Sequence, residues 1–209
     1  MIWLTNLVFG FTFSFIGSIP PGTINLSVIQ LGLQKRLGAA FRMAFAAAFI
    51  EFFYAAIAIK FQMYITSNPA VQDNFQLITS IVLLALGGLN LMVLFKKRNP
   101  KNQKTNSIAS SGFRKGILLS IGNPLAMPFW IAVTAYLQSN KWVNFEDTSI
   151  WTYVLGISLG TIAILMILGI VANKTGKFID AENKLIKIIP GIVLVVLGLY
   201  SLANLYIFS

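Results

Sequence analysis

One carboxylate of this chain lies where carboxylates are rare. Glu51 is the only acidic residue inside any apolar run, and its surroundings at positions 48–54 read AFIEFFY. An acidic residue such as Asp at the centre of a membrane helix costs roughly 2.5–3.5 kcal/mol on insertion scales. We therefore interpret Glu51 as a functional group that binds a substrate ammonium or carries a proton. The alternative is a structural bond, either to a basic residue or to Asn25, Asn90 or Asn123.

Two interruptions of apolar runs supply the other groups that can do chemistry. The first, at positions 17–25, reads GSIPPGTIN, and the second, at positions 120–124, reads SIGNP. Proline removes a backbone donor and clashes with the preceding turn, so a straight helix is excluded. The half-helix ends leave amides and carbonyls that need a partner in hydrocarbon and that suit a carboxylate or a cation. A tolerated kink is the alternative for each break.

Together these groups define a predicted site near the middle of the membrane. Glu51 binds the ammonium or the proton in this hypothesis, while groups at the two breaks orient the substrate. For Trp130, which follows the second break, we expect packing, with a cavity-lining role as the alternative. The predicted substrate-binding or coupling residues are Pro21, Gly22, Thr23, Asn25, Glu51, Asn123 and Pro124.

The composition excludes several other chemistries. The sequence has no Cys and no His, so thiol chemistry, disulfides and His-based metal or proton relays are excluded. Its apolar segments contain no paired carboxylates and no nucleophile–base pair, so we expect neither an enzyme nor a bound metal or cofactor. The net charge of +10 comes from basic residues between apolar runs, which argues against nucleic-acid binding.

Long apolar segments identify the fold class. The chain of 209 residues is 56% hydrophobic and 11% charged, whereas soluble domains are about 25% charged. We expect the first segment to be a retained helix and not a signal peptide. In the fifth segment, Gly156, Gly160 and Gly169 are spaced to allow close helix approach. The sequence predicts an all-α polytopic membrane protein with six transmembrane helices, at about residues 2–29, 38–59, 75–95, 113–137, 151–172 and 186–207.

The six segments divide into two halves of three. Residues 1–95 and 113–209 each form a predicted three-helix repeat, and the basic residues 96–112 form a linker. An odd number of spans per half inverts one copy relative to the other, as in many secondary transporters. The first helix of each half carries the Pro break. Interruptions at matching places in two halves point to a substrate site.

The distribution of basic residues predicts the orientation of the chain. Loops one, three and five hold 14 of the 16 Lys and Arg residues, whereas loops two and four hold only Lys60 and Lys141. Basic loops remain in the cytoplasm of the cell, so both termini are expected outside.

The order and spacing of these motifs resemble the LysE/RhtB-type amino-acid exporter family, the LysE-type translocators. The similarity covers about residues 7–203. It is carried by PGTINL at positions 21–26, by the acid Glu51 midway in the second helix, and by FRKG at 113–116 followed by GNPLA at 122–126. The resemblance implies export of amino acids or related small metabolites across the bacterial inner membrane, driven by the proton gradient.

The sequence departs from the family pattern at several positions. Thr23 stands where the family has the second Pro of its turn, and Leu125 replaces the usual Lys after Asn-Pro. The lost Lys removes a partner for a substrate carboxylate or for proton coupling. Glycines expected in the second helix are replaced by Ala46, Ala47 and Phe49.

These observations lead to one hypothesis and two alternatives. The hypothesis is a secondary active exporter that works by proton antiport with alternating access, with a small-molecule substrate and the lipid bilayer as its partners. The alternatives are a passive channel, whose filter the broken helices would form, and a cation or metal permease of related architecture. A homodimer is compatible with six short helices that bury little surface around a cavity.

Overall fold

Helices form wherever the sequence is apolar, and they end at the two breaks. The computed structural model describes residues 2–19, 22–67, 74–95, 112–123, 126–145, 149–176 and 184–207, and in these ranges it contains helices and no strands. The predicted all-helical class is confirmed. The first and fourth apolar segments are each divided in two at their break, so the helices are α1 (Ile2–Gly17), α2 (Thr23–Leu33), α3 (Leu37–Thr66), α4 (Phe75–Phe95), α5 (Gly112–Ile121), α6 (Ala126–Ser139), α7 (Ser149–Thr175) and α8 (Lys184–Ile207).

Two of these helices are long and apolar enough to cross a membrane unaided, namely α3 over Leu37–Ile65 and α7. The pair α5 and α6 meets the same test together, with an angle of 68° between the two helices. The apolar lengths of the other described helices are 10–17 residues. The described part of the chain therefore holds two or three clear membrane-span candidates, and the count of six spans stays a prediction.

Glycines bring α1 and α7 into backbone contact along parallel axes. A Cβ added at Gly156 would collide with the Leu7 carbonyl oxygen, and one at Gly160 would lie 2.9 Å from Ser14 Cβ. Next to this contact, the Ser14 and Thr161 hydroxyls share a buried hydrogen bond of 2.8 Å. The predicted role of Gly156 and Gly160 in close helix approach is confirmed.

The predicted role of Gly169 is confirmed at the other end of α7. A Cβ at Gly169 would lie 3.3 Å from Val28 Cγ1 of α2 and 3.4 Å from Ala40 Cβ of α3. Gly32 of α2 packs against the same end of α7, where a Cβ added at Gly32 would lie 3.0 Å from Ala172 Cβ. Both helices of the first broken segment therefore pack on α7.

The second broken segment packs on α3 in the same manner. The backbone of α5 at Gly112 lies against the Ala39 carbonyl, and a Cβ added at Gly116 would lie 2.7 Å from Ala46 Cβ. The small side chains in the first half of α3 make this approach possible. Helices α3 and α7 in turn pack antiparallel on each other, and Ser158 Oγ donates to the Ala48 carbonyl at 3.3 Å. Helices α4 and α8 also pair, with a buried bond of 2.8 Å between Ser80 and Ser201.

The outer face of α3 is strongly apolar. Its exposed side chains recur every four residues and are mostly aromatic, and a water-soluble surface would rarely carry such a stripe. The pattern is typical of a surface that faces lipid. The stripe consists of Phe45, Phe49, Phe53, Ile57 and Phe61.

The contact between α1 and α7 can be tested at Gly156. We expect Gly156→Ala to destabilise the protein by about 1–3 kcal/mol, because the new Cβ overpacks a backbone contact that cannot yield locally. Thermal denaturation in detergent micelles measures the change. Gly88→Ala in α4 is the matched control, since a Cβ there meets nothing within 4 Å. Equal stability of the two variants would contradict this packing.

Candidate functional site

Glu51 is held by a side chain of the second broken segment. Glu51 lies in α3 and is half-buried, whereas Trp130 lies one turn into α6 and is 1% exposed. The Trp130 indole Nε1 donates to Glu51 Oε1 at 2.5 Å. An ionised carboxylate accepts stronger hydrogen bonds than a neutral acceptor does. The bond to Trp130 fastens α6 to α3 directly after the break.

This bond joins Glu51 to a partner that the sequence analysis did not name for it. Within the described ranges no basic side chain forms an ion pair with it, and the hydrogen bond described for it goes to Trp130 rather than to Asn25 or Asn123. The side chain of Asn90 lies outside the described residues. Glu51 is also the only acidic residue in the described ranges, where no group of three or more metal-ligating side chains occurs.

Tyr54 holds the other side of the same break. Its hydroxyl donates to the carbonyl of Ile121, the last residue of α5, at 2.8 Å. Glu51 and Tyr54 are three residues apart and therefore share one face of α3. That face consequently bonds the end of α5 through Tyr54 and the first turn of α6 through Glu51.

Sequence reasoning missed Tyr54 and expected only packing from Trp130. Both residues carry a polar donor on an aromatic ring within two turns of a predicted site group, and this combination is the signal that could have found them. A buried Trp or Tyr usually finds a hydrogen-bond partner for its N–H or O–H.

The first break is bridged by Asn25. Its Nδ2 donates to the Ser18 carbonyl at 2.6 Å, so a buried side chain of α2 bonds the chain just beyond α1. Gly22 is the N-cap of α2 and makes no side-chain cap bond, and both Gly22 and Thr23 are exposed. The Asn25 side chain therefore joins the two sides of the first break, and its predicted role in substrate binding stays a prediction.

The second break is organised by its own backbone. The Asn123 amide donates to the Ser120 carbonyl at 3.1 Å, which continues the turn of α5 past its last residue. Ser120 is 3% exposed, and no hydrogen-bond partner for its hydroxyl occurs in the described part of the chain. The predicted site residues Pro21 and Pro124 lie outside the described residues, as do Pro20 and Leu125.

Phe129 connects the two broken segments. A Cβ added at Gly17, the last residue of α1, would lie 2.7 Å from Phe129 Cζ. Phe129 also packs edge-on against the Trp130 ring, with 4.9 Å between ring centroids. The structure thus brings the end of α1 close to the helix that bonds Glu51. In the described ranges no hydrogen bond joins Glu51 to Gly22, Thr23 or Asn25.

An apolar groove between α3 and α7 is separate from this site. It lies on the outer face, where Phe45 and Phe49 are about half exposed, and Glu51 does not line it. Its lining carries no charged side chain that would pair with a charged substrate. The groove is lined by Phe45, Ala48, Phe49, Phe52, Ser158 and Ile162.

The bond at the end of α5 can be tested with a pair of tyrosines on α3. We expect Tyr54→Phe to destabilise the protein by about 0.5–1.5 kcal/mol, because it leaves the Ile121 carbonyl without this donor. Tyr64→Phe is the control, since Tyr64 is 77% exposed on the same helix. Urea-induced unfolding in micelles measures both changes. A Tyr54→Phe variant as stable as the Tyr64→Phe variant would show that the bond contributes nothing.

Comparison with known proteins places the chain in a family. A family model described as LysE type translocator matches residues 15–204. No curated protein and no solved structure matches the chain. The matched region contains both breaks, Glu51, Tyr54 and Trp130. Since the match extends over most of its length, the chain belongs to the LysE type translocator family.

Proposed function

We propose that this protein is a secondary active exporter of amino acids or related small metabolites that works by proton antiport with alternating access. Membership in the LysE type translocator family supports transport of amino acids or similar molecules. The observation that carries the mechanism is the position of Glu51. The only acidic residue in the described ranges lies in a membrane-span candidate, beside the second break, without a basic partner in those ranges.

The proposed architecture is six spans in two inverted three-helix repeats. Its support is reciprocal packing, because α1 and α2 lie on α7 whereas α5 and α6 lie on α3. Corresponding helices pair with each other, α3 with α7 and α4 with α8. Gly10 of α1 lies against the Tyr153 carbonyl of α7, and Gly112 of α5 lies against the Ala39 carbonyl of α3. These two contact glycines are 102 positions apart, which is also the separation of the Ser-Ile pairs that precede the two breaks. A pseudo-two-fold axis in the membrane plane generates such a pattern.

The proposed location is the bacterial inner membrane, with the basic loops in the cytoplasm and both termini outside. The concentration of Lys and Arg in alternate loops supports this orientation. An exporter in this orientation meets its substrate on the side where metabolites are made.

In this proposal the substrate ammonium and the proton compete for one negative group, the Glu51 carboxylate. In the proposed cycle the substrate ammonium binds the Glu51 carboxylate on the cytoplasmic side and leaves it on the outer side. A proton then takes its place for the return step. Because one carboxylate neutralises one charge at a time, outward transport of the substrate is coupled to inward transport of the proton.

The groups beside the breaks orient the substrate in this proposal. Half-helix ends at membrane depth offer amides and carbonyls that complement the two ends of a zwitterion. Phe129 brings the end of α1 toward the second break, which supports a site built from both segments. The proposed residues beside Glu51 are Pro21, Gly22, Thr23, Asn25, Asn123 and Pro124.

Glu51→Gln tests the proposal in proteoliposomes. We expect proton-driven efflux of a preloaded mixture of the twenty amino acids to fall to the level of empty liposomes, because an amide neither binds a proton nor pairs with an ammonium. The amide oxygen still accepts from Trp130, so the fold is kept. Mass spectrometry of the released amino acids gives the rates.

Lys60→Gln is the matched control, since it removes an exposed charge from the same helix. Its efflux should equal that of the unchanged protein. Full activity of Glu51→Gln would contradict the proposal. Efflux that never saturates and shows no exchange would indicate a passive channel instead.

A further inference from the structure

We propose that Trp130 is a positioning residue for Glu51, an assignment that rests on the proposed exporter function. Its indole N–H fixes one carboxylate oxygen against α6 and leaves the other oxygen to receive the substrate ammonium. The inference goes beyond a packing role for Trp130, because it makes the N–H group, and not the shape of the ring, responsible for substrate affinity.

The first support is the geometry of the bond. Trp130 is almost fully buried, while Glu51 remains half-buried, so the donor is fixed and the acceptor keeps an accessible side. The donor reaches Oε1, and within the described ranges Oε2 forms no hydrogen bond. A carboxylate offers about four acceptor positions on its two oxygens, so the bond to Trp130 leaves room for a second donor.

The second support is the rigidity of the surroundings. At the far end of the same interface, Gln62 Nε2 of α3 donates to Gln138 Oε1 of α6 at 2.7 Å. On the other side of the break, Tyr54 holds the end of α5. Besides the bond to Trp130 itself, these two polar bonds join α3 to the second broken segment and restrict where the Trp130 ring can lie. A binding group works best when neighbouring bonds fix its orientation in advance.

The third support is that this bond has no counterpart in the other half. The separation of 102 positions relates Trp130 to Val28. Ala39 of α3 and Tyr153 of α7 face the two contact glycines and are 114 positions apart. The same separation relates Glu51 of α3 to Leu165 of α7. Val28 and Leu165 are each 1% exposed and lie in one apolar cluster. Apolar packing therefore suffices for this interface, and the polar pair occurs only beside the second break.

The test replaces the donor and keeps the shape. 3-Benzothienylalanine, introduced at Trp130 by codon suppression, has sulfur in place of the indole N–H. We expect the KM for the amino acid that the unchanged protein exports fastest to rise roughly tenfold, as the loss of a hydrogen bond to a charged group implies. We expect kcat to change by less than about twofold, since the ring still packs. A merely structural role would lower the amount of active protein and leave KM unchanged.

Trp142 provides the matched control. Its ring stacks on Phe9 with 5.7 Å between centroids, and no hydrogen bond of its indole N–H occurs in the described part of the chain. 3-Benzothienylalanine at Trp142 should leave KM and kcat unchanged. An unchanged KM at Trp130 would overturn the inference and leave the exporter function intact. Absence of any efflux by the unchanged protein would overturn the exporter function first.

A spectroscopic measurement tests the bond without transport. The chain has four Trp residues, so indole 15N–1H spectra in micelles should show four resonances. The one lost on substitution of Trp130 should lie downfield, and it should move upfield in Glu51→Leu while the others stay in place. A Trp130 resonance that does not respond to Glu51→Leu would overturn the inference whatever the transport assay shows.

Discussion

The arrangement of this site depends on one hydrogen bond between a carboxylate and an indole inside an apolar bundle. Burying the Glu51 carboxylate without a partner would cost much free energy. The indole of Trp130 supplies a hydrogen-bond donor that brings no second charge. A basic partner would neutralise the carboxylate permanently and leave it unable to bind another cation. The bond to Trp130 stabilises Glu51 without adding a second charge, as the proposed exchange of cations requires.

The rest of the fold places these two side chains opposite each other. Trp130 follows a break at which α5 and α6 meet at an angle of 68°. Helix α5 therefore packs along the first half of α3, whereas α6 packs along α3 from Glu51 onward. Gly112 and Gly116 let α5 approach the alanine-rich part of α3, and Tyr54 bonds the end of α5. Helix α6 thereby starts beside Glu51. The glycine contacts between α1 and α7 give the other half the same arrangement without a carboxylate.

Much of this architecture could be predicted from local sequence. Apolar runs identify the helices, and the clustered Gly and Pro residues mark where the first and fourth segments break, because both effects act within a few residues. Glu51 stands out for the same reason, as a charge in an apolar run. Asn25 could also be predicted, since its partner Ser18 lies only seven residues away.

The partners of Glu51 and Tyr54 could not be predicted in this way. The contact between Glu51 and Trp130 joins residues 79 positions apart and depends on how α6 is rotated against α3. No periodicity within either helix encodes that rotation, because it is set by packing between several helices. The bond of Tyr54 to Ile121 could not be predicted either, because it also depends on packing between helices. In addition, a backbone carbonyl is free to accept such a bond only near the end of its helix.

The central claim is that one carboxylate alternates between a substrate ammonium and a proton. The most direct test counts both ions in the same proteoliposomes, with a pH-sensitive dye on one side and mass spectrometry of the exported amino acid on the other. A single exchanging carboxylate predicts one proton moved inward for each ammonium group moved outward, at every size of the imposed gradient. Export that proceeds without any proton movement would contradict the claim.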